Sequence, residues 1–135
     1  MNLVILQLWM LASTLTNPPA VFVRAMDWEI MAPLKFRAGP FDGSSARAHL
    51  NDIIAKKRCD LKGAKVDDYN NLTVNYALLL TPDGHINEVV VEPKDCRPLE
   101  ALVAAMAITP DAVRRIIAPG GTKAAWYRSR ITFQN

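Results

Sequence analysis

Only two cysteines, Cys59 and Cys96, and two histidines, His49 and His85, occur in the 135 residues. Neither histidine stands at a ligand spacing from either cysteine, which argues against a metal centre, and no cofactor motif is present. Gly120-Gly121 lacks the following helix that a phosphate-binding loop needs. The chain has no charged residue before Arg24 and no apolar run long enough to cross a bilayer, since Leu3 to Thr16 offers fourteen residues. It has no internal repeat, no low-complexity tract and no dedicated basic stripe. The net charge is +3, and the one dense run, Lys56-Lys57-Arg58, falls at the end of an expected helix, where it complements the helix dipole. A nucleic-acid partner is therefore not expected.

What is present fits a single globular domain preceded by a targeting segment. Apolar residues make up 50% and charged residues 21%, enough to build a core. Leu3 to Thr16 matches the apolar centre of a secretory signal, and Val23-Arg24-Ala25 places small residues at −3 and −1 of a cut after Ala25. The segment lacks the usual preceding Lys or Arg, and its competing reading is a buried N-terminal helix ended by Asn17-Pro18-Pro19. The division is then 1–25 signal peptide, 26–43 extended lead-in, with Trp28, Phe36 and Phe41 packing on the domain, and 44–135 the folded domain. Export to the periplasm or beyond, without a stable membrane span after processing, makes Cys59–Cys96 a candidate disulfide. Two buried thiols or half of a metal site are the alternatives.

Periodicity supplies the elements. Ser44 or Ser45 can cap a helix with Ala46, Leu50, Ile53 and Ile54 on one face, ending near Cys59. From Leu72 the period becomes two, with Leu72, Val74, Tyr76, Leu78 and Leu80 on one face and Thr73, Asn75 and Ala77 on the other. Asp83-Gly84 turns the chain into a second strand, Ile86 to Glu92. Ile86 is out of phase with Val89 and Val91, which predicts a bulge beside the turn. Pro98 opens a helix carrying Leu99, Leu102, Val103 and Met106. Thr109-Pro110-Asp111 caps another, from Ala112 to Ile117, which Pro119-Gly120-Gly121 ends. In the last strand, Lys123 to Phe133, Tyr127, Ile131 and Phe133 oppose Trp126, Arg128, Arg130 and Thr132. The expected fold class is α+β, two-layer, with an antiparallel three-stranded sheet (the hairpin plus the C-terminal strand) packed on helices.

Pro82-Asp83-Gly84, Val89-Val90-Val91, Leu99-Glu100-Ala101-Leu102, Pro119 and Ile131-Thr132-Phe133 occur in an order that resembles the C-terminal domain of TonB-like proteins, and more loosely TolA. The resemblance covers about 60 residues, from Leu72 onward. The chain departs from that family in its short leader, in having no proline-rich spacer, and in Cys96 at the turn after the valine strand. The resemblance implies an exported protein-interaction module whose final strand, as a sheet edge, pairs with a protein or extended peptide, an envelope protein or a second copy among them. Trp126, Arg128 and Arg130 would then face the partner; the plainer reading makes them edge residues that discourage aggregation. Other classes are a secreted inhibitor or immunity-type protein, and a small hydrolase. For the last, Asp67-Asp68, His49, His85 and Ser44-Ser45 offer no converging set, so no enzyme is expected. Asn71-Leu72-Thr73 is a glycosylation sequon, meaningful only in a eukaryotic source.

Overall fold

The computed structural model describes residues 18–37, 46–56 and 71–134. The element order is β1 (Ala20–Val23), β2 (Ala32–Pro33), α1 (Arg47–Ala55), β3 (Leu72–Leu80), β4 (Ile86–Val91), α2 (Arg97–Ala107), α3 (Pro110–Arg115) and β5 (Ala125–Phe133). The hairpin and the final strand form where the two-residue period places them, except that the hairpin's second strand ends at Val91 rather than Glu92 and the final strand begins at Ala125 rather than Lys123. Leu79 pairs with Glu88 but Leu80 with Ile86, so the chain bulges beside the turn. β5 runs antiparallel to β3 over nine pairs, Leu72↔Phe133 through Leu80↔Ala125.

The sheet is not the expected three-stranded antiparallel one. It has five strands in the order β1-β4-β3-β5-β2 and is mixed. β1 adds parallel to β4, Ala20↔Glu88 through Val23↔Val91, and β2 adds parallel to β5 at Ala32↔Tyr127 and Pro33↔Arg128. Both added strands come from the segment before α1, too short to show a period of their own. The expected extended lead-in thus contributes a strand, a bridge from Phe36 to Ile116, and the half-buried Trp28; Phe41 lies outside the described residues.

One face of the sheet carries the helices. Val74, Tyr76 and Leu78, Val89 and Val91, and Ile131 and Phe133 pack with Leu50 and Ile53 of α1 and with Leu99, Val103 and Met106 of α2. Within it the buried Tyr76 hydroxyl bonds the side chain of Ser129, its partner in register; burial raises the phenol's pKa more than that bond lowers it.

The centre of the opposite face is covered too. Ala77 and Val90 have no exposed surface yet belong to no helix-facing core. Strands spaced about 4.8 Å apart put β1 and β2 about 19 Å from one another across the sheet. Residues 24–31 bridge that gap, since eight extended residues reach about 26 Å. Their two ends fix the face they cross. Arg24 lies 5.7 Å from the Trp126 ring centre, and the Met31 C=O accepts from Arg128 Nε at 2.9 Å.

The helix ends differ in detail from expectation. Ala46 is the N-cap residue of α1 and makes no side-chain cap, while Ser44 and Ser45 lie outside the described residues. α1 ends at Ala55 rather than near Cys59. Thr109 does cap α3, accepting from the Ala112 N–H at 3.2 Å. That helix stops at Arg115, because Ile116 turns extended to bridge Phe36 and the Ile117 N–H donates to the Lys35 C=O.

Candidate strand-pairing edges

Hydrogen-bond direction decides which main-chain groups of β5 face outward. The Leu34 N–H donates to the Arg128 C=O at 2.7 Å, so the Arg128 main chain points away from β3. In an antiparallel ladder this alternates, so Arg130 and Thr132 also point outward while Ser129 and Ile131 point to β3. β2 covers only Tyr127 and Arg128. From Ser129 to Phe133 no strand among the described residues lies beside β5 on that side.

The three side chains singled out from the sequence share one sheet face, as their alternation requires, but differ in surroundings. Trp126 is half-buried, with the Arg24 guanidinium over its ring. Arg128 is exposed and holds the Met31 carbonyl. Arg130 is exposed opposite Asn75. Thr132 completes the row and shares a 3.0 Å hydroxyl contact with Thr73. At the strand's end Arg47 donates to the Phe133 C=O at 3.2 Å, which ties α1 to β5.

The other edge is β4, and the sequence reading missed it. Its outer side is filled by β1, whose four residues are all exposed; Val21, Phe22 and Val23 keep 45 to 47% of their surface in water. The Arg24 N–H donates to the Val91 C=O at 3.3 Å, which continues the pairing by one residue. A strand signal was present in Ala20-Val21-Phe22-Val23, an apolar, β-branched run after two prolines. The leader reading absorbed it.

The remaining candidates do not converge. His49 is exposed on α1. His85 lies 3.2 Å from Asp83, a carboxylate neighbour the sequence reading did not give it, with both side chains about 70% exposed in the turn. The Thr81 hydroxyl first, then the charge of His85, lower the Asp83 pKa. Asp67 and Asp68 lie outside the described residues. A recess of about 500 Å³ between β2 and the Ile117–Pro119 segment is lined by Pro33, Leu34, Leu80 and Tyr127, with Lys35 at its side. Among the described residues no group of three His, Cys, Asp or Glu side chains is placed to hold a metal ion, and no helix is long and apolar enough to cross a membrane.

Cys96 is buried at the N-cap of α2, directly after Asp95, whose backbone is left-handed at φ 54°. Cys59, its expected partner, lies outside the described residues. No protein-family model, curated protein sequence or solved structure matches this chain.

Proposed function

We propose that this chain is an exported protein-interaction module of TonB C-terminal-like architecture, which binds an extended peptide of an envelope partner by strand addition to β5. One observation carries the reading. A two-residue parallel strand of the chain's own sits on the β5 edge and leaves the outward main-chain groups of Arg130 and Thr132 beyond it. An incoming strand would continue that row, with its main chain supplying affinity and Arg128, Arg130 and Trp126 choosing its side chains. Leader removal after Ala25 and a Cys59–Cys96 disulfide complete the proposal; the buried position of Cys96 supports the second.

The test is a proline at Arg130. Its N–H points outward, so proline there removes an edge donor while the β3 ladder stays intact, as edge strands tolerate. A proline at Ser129 would instead break that ladder. Peptides selected on the wild-type chain from a displayed library should bind Arg130→Pro at least about tenfold more weakly, and Arg130→Ala within about threefold, because the main chain carries the contact. Equal binding by wild type and a folded Arg130→Pro variant would falsify the edge reading.

A further inference from the structure

We propose that the outer edge of β4, filled in this structure by Ala20–Val23, is a second strand-acceptor site, for an extended apolar segment of a partner protein entering parallel to β4. The inference rests on the reading that the chain is cut after Ala25, which would release β1 with the leader. It concerns the sheet edge opposite β5.

Three observations carry it. First, β1 is held chiefly through its main chain. All four residues are exposed, and each of its three large side chains keeps nearly half its surface in water. A strand that buries so little contributes little to the core and can be exchanged. Second, its loss would leave a competent acceptor. Glu92 donates its N–H to Asn75, so Glu92, Val90 and Glu88 face β3, and the alternating residues Val89 and Val91 turn their main-chain groups outward. Val89, Val90 and Val91 are fully buried, and opening this edge would expose apolar surface and unpaired main chain together. Third, β1 itself shows what fits. Val21 and Val23 line a groove with Pro93, Cys96, Glu100 and Ala101 at the start of α2. Phe22 points to the other face, where Arg24 lies 5.8 Å from its ring centre and 5.7 Å from that of Trp126.

The occupant is therefore specified by chemistry. It is an extended segment with β-branched residues at two alternate positions, an aromatic residue between them, and a basic residue following. The groove at α2 reads the first pair, and Trp126 stacks on the basic group. Trp126 thus lies on a face that serves both edges.

The experiment has two arms. In the first, protein recovered from exporting cells has its N-terminus mapped by mass spectrometry, and the form beginning near Met26 is titrated with a fluorescent synthetic peptide of residues Pro18–Ala25. Because the Arg24 N–H faces β4, that of Phe22 does too and that of Val21 faces away. The peptide should bind saturably at one site; N-methylation at Phe22 should weaken it at least about tenfold, and N-methylation at Val21 should not. No binding, or equal loss from both N-methyl peptides, overturns the proposal. In the second arm, the uncut 135-residue chain should not bind the peptide, whereas its Phe22→Pro variant should, with cooperative melting retained. Failure of that variant to fold would make β1 a structural strand, and a folded variant that binds no peptide would show an edge unable to accept one; either overturns the proposal. Recovery only of protein with Met1 intact would refute leader removal, and the second arm alone would then decide on the acceptor edge.

Discussion

Glu92 shows how one side chain closes the seam between β3 and β4. Its Oε1 accepts from the Asn75 N–H at 3.3 Å, its Oε2 from the Asn75 amide at 3.2 Å, and Lys94 Nζ lies 2.9 Å from Oε1. Burial opposes the charge, but Lys94 and Asn75 together outweigh it and hold the carboxyl below its ordinary pKa of 4.5. A carboxylate whose pKa is depressed by folding adds stability above its unfolded pKa and loses it as pH falls through the folded one. Stability of the wild type should therefore drop on acidification below about pH 4.5. Glu92→Gln, followed by denaturant midpoints between neutral and acid pH, should be the less stable protein at neutral pH and show a shallower acid loss. An unchanged slope would remove Glu92 from the account. Arg24 and Trp126 make a related point, since a tryptophan expected to face a partner is half-covered by an arginine from the opposite edge of the sheet.

The β3–β4 hairpin is the element in which local chemistry is most complete. The Thr81 N–H donates to the His85 C=O at 2.9 Å, the His85 N–H to Thr81 Oγ1 at 3.0 Å, and the Gly84 N–H to the Thr81 C=O at 2.9 Å. The Thr81 hydroxyl also bonds Asp83. Gly84 sits at φ +92°, where a side chain is strained, and a Cβ there would meet Ala118 at 3.5 Å, ordinary contact. The cost of Gly84→Ala is then backbone strain, about 1 kcal/mol or somewhat more, read as a lowered denaturant midpoint. A neutral result would mean that the turn relaxes freely. The loop after α3 leans on this turn through the Gly120 N–H and the Pro82 C=O at 2.9 Å. Pro119-Gly120-Gly121 therefore braces the hairpin turn, while α3 has already ended at Arg115.

Across the molecule, short parallel strands from residues before α1 cap both flanks of a central three-strand unit. The added strands occupy both edges of that unit, the ones through which we propose that partners bind. The proposed disulfide would tie the start of α2 to the segment after α1, closing a loop for which the chain-entropy relation gives about 4 kcal/mol. Thiol labelling of unreduced, denatured protein from an oxidising compartment should yield no adduct, and reduction should lower Tm by many degrees in a domain of this size. Labelling of both cysteines in freshly exported protein would discard the pairing.

The sequence by itself determined the hairpin, its bulge, the alternation of faces along β3, β4 and β5, and the Thr109 cap. Each depends on neighbours a few residues apart, where period and turn chemistry act directly. Tertiary structure alone decided the sheet's width and its edges. Ala32-Pro33 is too short to carry a period, and Ala20–Val23 shares its apolar composition with the leader before it. Both find partners far along the chain, Ala20 at Glu88 and Ala32 at Tyr127, and pair in parallel through main-chain groups that every residue possesses. Pairing of this kind leaves no periodic signature in segments of two to four residues. The edges of this protein therefore became visible only once the chain had folded.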